Sequence, residues 1–431
     1  MSKTTISTNP VKGMRDFFPE DMRIRNWLFS TWRRVAHQFG YEEYDACVLE
    51  AEELYTRKAG DEIVGQLYNF ADKGERRVAL RPEMTPSLAR MVMSRGKGQA
   101  LPARWFSIPQ CFRYERMQKG RKREHFQWNM DLIGLESVAA EVELMSAQVA
   151  FLKEVGFKVD GESPEIVFKV SNRQVLEHSL KELEITGDAF AAACVTIDKR
   201  DKIGDAKTLE LLEEGGVDAQ RGQKILDLLD IKGIDALRDA VGEDNPGYQS
   251  LATLMEYAQA SGIAAAISID LSVVRGLSYY TGTVWELFDT AGDVPRAIAG
   301  GGRYDRLMET LGGEPTPMVG FGFGDVVISL LLEERGLLPK ESARVDDVVY
   351  PTDASGFVVA NQIAASLRAG GRKVWVDYSQ RRFKHVIKRA ESLGASAVYV
   401  LGESEIAEGV VKVRSLGAER TEETRSLSDF S

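Results

Sequence analysis

Between Pro19 and Gly40 the apolar residues fall at Ile24, Leu28, Trp32, Val35 and Phe39, and the run stops at Gly40. That spacing lays one stripe along a helix, and glycine supplies the left-handed stop. Alternating positions follow, and residues 68–70, 77–80, 104–114 and 125–134 are predicted strands joined by loops. A helix over about residues 139–155 and a strand over 165–170 close this first block. From 171 to 265 charged helical segments alternate with Gly and Asp breaks while strand signals nearly vanish, which predicts an inserted helical subdomain. Strand texture returns at 267–271 and 283–288, ahead of a glycine-rich stretch at 300–302 and a helix over about 325–335. A linker near 336–343 precedes short strands at 348–350, 373–376, 397–401 and 410–413, with helices between the first three. Such alternation predicts a small α/β unit with a partly parallel sheet. The tail after Glu419 is polar and is predicted to fray.

The pattern as a whole predicts an α+β chain. Residues 1–170 and 266–336 form a sheet-based core, 171–265 a helical insertion, and 344–431 a C-terminal α/β domain. A length of 431 residues suits two or three domains better than one core. The net charge of -10 means that the molecule as a whole is not drawn to a polyanion, so any nucleic-acid contact has to come from local basic patches. Cys47, Cys111 and Cys194 are far apart with no CxxC, which argues against a disulfide framework or a zinc site and fits a reducing cytosol. Residues 1–10 lack the apolar core of a signal peptide, and no apolar run is long enough to span a bilayer. The expected location is the cytoplasm.

The densest chemical signal is FRYERMQKGRKREHFQ at residues 112–127, where Arg116, Lys119, Arg121, Lys122 and Arg123 crowd a short turn. A charge run alone reads as a solvated hairpin tip. Here Arg113 and Gln127 fall inside the flanking strands instead. An arginine within a strand is costly unless it meets an anion, and its fork suits phosphate or carboxylate. A second basic cluster, Arg381, Arg382, Lys384, His385, Lys388 and Arg389, lies on one predicted helix whose inner face is Phe383, Ile387, Ala390 and Gly394. In an acidic chain, a helix this basic reads as an RNA footprint.

These residues carry a resemblance. Residues 112–127 resemble motif 2 of the class II aminoacyl-tRNA synthetases, in the form seen in histidyl-tRNA synthetases. KGMRDFFP at 12–19 resembles that family's N-terminal segment, and LRPEMT at 80–85 its amino-acid-binding segment. RGLSYY at 275–280 is similar to the histidine-specific RGLDYY motif, GGRYD at 301–305 to the GGRYD motif, and 377–402 to part of the anticodon-binding domain. The likeness covers nearly the whole chain, in family order. It implies a class II antiparallel-sheet catalytic core with a C-terminal anticodon-binding domain, and a histidine–tRNA ligase. Such an enzyme activates histidine with ATP to histidyl-adenylate and pyrophosphate, then transfers histidine to tRNA(His). ATP, Mg2+, histidine and tRNA(His) are the implied ligands, and a homodimer the implied assembly.

Activation forces two anions together, so the site needs fixed positive charge aimed at the transition state. By resemblance the catalytic cations are Arg113, between the α-phosphate and the histidine carboxylate, and Arg275. The bland alternative for Arg275 is an ion pair with Asp270 or Glu286. Histidine is expected to meet Glu83, through its ammonium, together with Thr85, Arg113, Gln127, Asp131, Arg275, Tyr279, Tyr280 and Tyr304. ATP is expected at Arg113, Glu115 and Arg121. The tRNA is expected at Arg116, Gln118, Lys119 and Arg123 of the motif 2 loop, and at Arg381, Arg382, Lys384, Lys388 and Arg389. Metal ligands are not assigned, although Glu115 is a candidate for one magnesium position.

The family pattern is broken at three places. In YDACVLE at 44–50, the motif 1 segment that implies the dimer interface, Cys47 stands where proline is usual. Ser278 replaces the aspartate of RGLDYY. In VGFGFGDVV at 319–327, which resembles motif 3, Val327 occupies the place of an arginine, and Arg306, Arg121 and Arg123 are the candidates to supply the missing charge. The rival reading is a catalytically silent paralogue, such as the histidine-sensing regulatory subunit of ATP phosphoribosyltransferase. That protein typically lacks the C-terminal domain and the full activation motifs.

Overall fold

The computed structural model describes residues 6–57, 64–161, 163–273, 280–291, 296–339, 344–417 and 419–430. The chain divides into two compact units, Met1–Leu338 and Pro339–Ser431.

The first unit is built on strands β1 (Glu42–Glu43), β2 (Leu49–Ala51), β3 (Tyr68–Ala71), β4 (Arg77–Leu80), β5 (Ala103–Ser107), β6 (Gln110–Phe112), β7 (Glu124–Ile133), β8 (Ile166–Asn172), β9 (Ile267–Ile269), β10 (Thr283–Asp289), β11 (Ala299–Arg303) and β12 (Met318–Gly324). The described strands of the main sheet run in the order β1-β5-β7-β12-β11-β10-β8-β9, with β6 added on β7, and β2-β4-β3 form a small sheet of their own. All pairs in the main sheet are antiparallel except β1 with β5 and β8 with β9. The single strand expected over 104–114 is two, β5 and β6. The break falls beside Pro109, whose nitrogen cannot donate to a ladder.

Side-chain alternation along β7 decides what each face of the sheet does. Trp128, Met130 and Leu132 are fully buried in the main core with Val319, Phe321 and Phe323 of β12. Two helices cover that face. Pro19–Gln38 buries Leu28, Phe29, Trp32, Val35 and Ala36, and Trp32 stacks on Trp128 with ring centroids 6.0 Å apart. Ala139–Glu154 is apolar on most of its surface and brings Phe151 edge-on to Trp128. The opposite face of β7 carries Gln127, Asn129 and Asp131, since successive side chains of a strand alternate.

Between β8 and β9 the described residues are helical, from Arg173–Glu182 through Pro246–Ala260, with no strand among them. Leu180, Ile225, Leu229, Leu251 and Leu254 belong to the same apolar cluster as the sheet, so the insertion has no separate core.

The second unit holds β13 (Asp347–Pro351), β14 (Val374–Val376), β15 (Ala397–Leu401), β16 (Val410–Ser415) and β17 (Glu422–Ser426), in the order β14-β13-β15-β16-β17. β13 pairs parallel with β14 and β15, while β16 and β17 are antiparallel. The tail expected to fray instead forms β17, an edge strand. Its residues are polar because they are exposed throughout, and it is anchored by Phe430, buried edge-on against Tyr399.

Candidate active site

The floor of the site is a strip of sheet where polar side chains lie across glycines. Gln127, Asn129 and Asp131 of β7 stand opposite Gly324, Gly322 and Gly320 of β12. On the far side of β12, Gly300 and Gly302 of β11 stand opposite Gly322 and Gly320. A Cβ at Gly320 would overlap the Asp131 carboxylate, and one at Gly322 the Gln127 amide. The absence of side chains at Gly320 and Gly322 is what lets the polar side chains of β7 reach over β12. Above this floor lies a cavity of about 290 Å³ lined by Glu83, Thr85, Arg113, Gln127, Asn129, Tyr280, Glu286 and Tyr304, among others.

The loop that brings Glu83 and Thr85 is fastened by buried Arg81. Its Nη1 donates to Asp45 Oδ1 at 2.7 Å and to the Ala46 carbonyl at 2.9 Å, and its Nε to the Gln110 carbonyl at 3.0 Å. The Phe112 amide donates back to the Arg81 carbonyl at 2.9 Å. Arg113 closes the arrangement, its Nε donating to the Pro82 carbonyl at 2.9 Å. Withdrawal from water pushes the Glu83 carboxyl above the ordinary range, and the charge of Arg113 pulls it back. Tyr304 lines the cavity and its hydroxyl donates to Asp131 Oδ1; Asp131, expected at the histidine ring, does not itself line the cavity, and its Oδ2 is buried with no hydrogen-bond partner. Burial pushes the Asp131 carboxyl up to about 7, against the lowering effect of the Tyr304 hydrogen bond. Burial also raises the Tyr280 hydroxyl, with Glu83, Glu286 and Asp131 adding to it.

A second cavity, of about 460 Å³, shares Arg113 and Gln127 with the first. One wall is polar, with Glu115, Arg121, Lys122 and His125; the other offers Phe288, Ile298, Val326 and Val327, and Arg296 stands at its side. Arg121 pairs with Glu115 at 2.7 Å. Burial, reinforced by the charge of Arg113, pushes His125 down to about 3, so its ring is neutral, and its Nε2 lies 3.3 Å from Gln127 Oε1.

The loop between β6 and β7 is tied down at several points. Lys119 Nζ pairs with Glu334 at 3.0 Å, and Gln118 Oε1 accepts from Arg296. Arg123 is folded inward, its guanidinium 3.8 Å over the Tyr114 ring and its Nε donating to the Glu115 carbonyl at 3.2 Å. That placement gives Arg123 a part in the loop's own structure rather than on its outer face; Arg116 is exposed. Arg306 occupies the N-cap position of the short helix Leu307–Thr310 without a side-chain capping bond, and lines neither cavity.

In the second unit Arg381, Arg382, Lys384, Lys388 and Arg389 are all exposed. The first two precede the helix Phe383–Ser392, whose most buried residues are Val386 and Ala390. Gly394 lies beyond its end, so the expected inner face is shifted toward Val386. Arg275 and Tyr279, expected around histidine, and Ser278 lie outside the described residues. Sequence reasoning did not place Asn129, Glu286 or Arg296 at the site. For Asn129 the signal was present: the strict polar–apolar alternation of residues 127–132 puts it on the face of Gln127 and Asp131.

Among the described residues no three His, Cys, Asp or Glu side chains cluster as a metal cage. No described helix is long and apolar enough to cross a membrane.

Comparison with known proteins gives the chain's family. The histidyl-tRNA synthetase family model matches residues 13–324, and the anticodon binding domain model residues 348–431. A relative named histidine–tRNA ligase, chloroplastic/mitochondrial, from Arabidopsis thaliana is 46% identical over 413 residues, 96% of this chain and 84% of that protein. A histidine–tRNA ligase from Opitutus terrae is 40% identical, covering 94% of this chain and 93% of its own. Among solved structures, a histidyl-tRNA synthetase from Nostoc sp. PCC 7120 superposes with a TM-score of 0.77 at 23% identity, over 99% of each chain. An ATP phosphoribosyltransferase regulatory subunit/histidyl-tRNA synthetase from Bacillus halodurans C gives 0.75 at 21%, over 93% of this chain and 99% of that one. At those identities the two structures speak for the fold alone. With a family model over most of its length and full-length relatives this similar, the chain belongs to the histidyl-tRNA synthetase family.

Proposed function

We propose that this chain activates histidine with ATP and transfers it to tRNA(His), with the two cavities as the histidine and ATP halves of one active site. The observation that carries the division is that Arg113 and Gln127 border both cavities, so a ligand in each would meet at Arg113. Histidine takes the smaller cavity. Its ammonium faces Glu83 and Thr85, its carboxylate faces Arg113, and its ring lies toward Gln127, Asn129, Tyr280 and the Tyr304–Asp131 pair. ATP takes the larger one, with its phosphates along Arg113 and Arg121 and its base toward the apolar wall. The histidine carboxylate attacks the α-phosphorus, the bond to the bridging oxygen breaks, and pyrophosphate leaves. A guanidinium fork between carboxylate and phosphate neutralises charge where it builds up. Arg275 is the second cation of this proposal. A magnesium ion would arrive on the triphosphate and help neutralise it, with Glu115 as the lining carboxylate able to take one position if Arg121 turns to the phosphates.

A terminal ribose hydroxyl of the tRNA then attacks the adenylate carbonyl, and AMP leaves. Arg116, Gln118 and Lys119 on the loop, and the exposed basic residues around Phe383–Ser392, are assigned to the RNA. We also propose a homodimer through the motif 1 region, where Val48, Leu49 and Phe70 are exposed apolar side chains on and beside the small sheet. Cysteines without disulfides fit a reducing compartment, and we place the chain in the cytoplasm. The regulatory-subunit reading is not favoured: relatives matched over nearly their full length are named as ligases, and the anticodon-binding match is present. Charging of tRNA(His) with labelled histidine is the test. ATP-dependent accumulation of histidyl-tRNA is expected; folded protein that charges nothing yet stimulates an ATP phosphoribosyltransferase would reverse the choice.

A further inference from the structure

Val327 lies in the apolar wall of the larger cavity beside Val326, Ile298 and Phe288, where it can pack on a purine but carries no charge. Of the arginines suggested by sequence as substitutes, only Arg121 lines this cavity, on the wall of Glu115 and Lys122. Arg121 is paired with Glu115, Arg123 is folded over Tyr114, and Arg306 lines neither cavity. A different arginine lines the same cavity as Val327: Arg296, just ahead of β11. Its guanidinium donates to Gln118 Oε1 of the loop between β6 and β7, which also carries Arg121 and Lys122.

We propose that Arg296 is an ATP-binding residue of this chain, reaching the triphosphate from the β10–β11 connection and supplying the charge that Val327 cannot. The proposal rests on reading the larger cavity as the ATP half of the site. Triphosphate bound along Arg113, Arg121 and Lys122 has its charge met from one wall only; Arg296 meets it from another element. A guanidinium is always charged and presents a planar fork, so it suits a phosphate whatever the pH. Valine at 327 leaves that space open and gives the base an apolar surface. Charge and packing, combined in one side chain by a motif 3 arginine, are here divided between two.

Calorimetric titration of the full-length chain with ATP, and separately with histidine, tests this. Arg296→Ala is expected to weaken ATP by about 10- to 100-fold, the worth of a charge-assisted hydrogen bond. Histidine affinity is expected to stay within about twofold and the melting temperature unchanged. Arg296→Gln keeps a donor for Gln118 without the charge, and should weaken ATP comparably. Gln118→Ala, which removes that hydrogen bond but keeps the charge, should cost ATP affinity far less. Undiminished ATP binding in Arg296→Gln would overturn the proposal. So would a parallel loss of ATP, histidine and melting temperature, which marks a structural residue. A parent chain that binds histidine but no ATP would instead overturn the reading of the cavity, and the proposal with it.

Discussion

Arg113 Nε donates to the carbonyl oxygen of Pro82 at 2.9 Å, the residue immediately before Glu83. One hydrogen bond therefore sets the distance between the cation and the carboxylate that would hold the two ends of an amino acid. Arg113→Ala is expected to slow histidine-dependent ATP–pyrophosphate exchange by about 10²–10³, the loss of one transition-state donor of about 2.7–4 kcal/mol. Arg113→Lys should recover little, because an ammonium cannot bridge carboxylate and phosphate as a fork does. Exchange within about threefold of the parent in Arg113→Ala would show that the residue acts only on the loop.

Asp131 makes stability depend on pH. An acid whose folded pKa is raised lends stability that is fully present below its unfolded pKa of about 3.9, and that is lost as pH rises through the folded value. For Asp131 the folded value is about 7. Asp325 works in the same direction, with burial pushing its carboxyl to about 6, so the comparison has to be between variants. The melting temperature of the ligand-free parent, relative to Asp131→Asn, is expected to fall as pH rises from about 4 to about 7. A difference that stays flat across that range would mean that Asp131 ionises normally.

Arg15 pins the N-terminal segment to the site. Its Nε donates to Glu124 at 2.6 Å and its Nη2 to Asp325 at 2.9 Å, both buried carboxylates. Arg15→Ala leaves these two together without their cation. Urea unfolding should show a loss of about 3 kcal/mol, the low end for a broken buried pair, because the Arg15 side chain keeps 21% of its exposure. A loss under about 0.5 kcal/mol would place the pair among ordinary surface contacts.

The boundary between the units predicts separable functions. Leu337 and Leu338 pack on the first unit's core, so a chain ended after Leu338 keeps them. Such a chain is expected to keep histidine-dependent exchange and to charge tRNA(His) poorly. Unimpaired charging would mean that the basic surface around Phe383–Ser392 is solvated and nothing more.

Much of the fold was legible because its periodicities are strong. The stripe from Leu28 to Val35 and the alternation from Gln127 to Leu132 each specify an element and its buried face. β17 was not legible, since an edge strand exposed on both faces has no apolar alternation, and its apolar anchors, Leu427 and Phe430, lie beyond its end. At the site, Glu83, Thr85, Arg113, Gln127, Tyr280 and Tyr304 line one cavity, while Asp131 is buried against Tyr304 and does not line it. Arg296 was missed because nothing in its neighbourhood marks it. Only the pairing of β11 with β12 brings the chain ahead of β11 to the side of Val327. The bearing of Gly320 and Gly322 on the site was likewise hidden until the register set them against Asp131 and Asn129.

On the proposed function, the joined cavities activate histidine and no other amino acid. Amino-acid-dependent ATP–pyrophosphate exchange measures that step alone, without tRNA, and can be run with each proteinogenic amino acid in turn. The unpaired Oδ1 of Asn129, a lining residue of the smaller cavity, favours a side chain that can hydrogen-bond from a ring nitrogen, and an analogue lacking it leaves that oxygen unsatisfied. Exchange driven by histidine, with every other amino acid at background, is the predicted result. Silence with histidine from folded protein, or exchange driven as well by another amino acid, would overturn the proposed function.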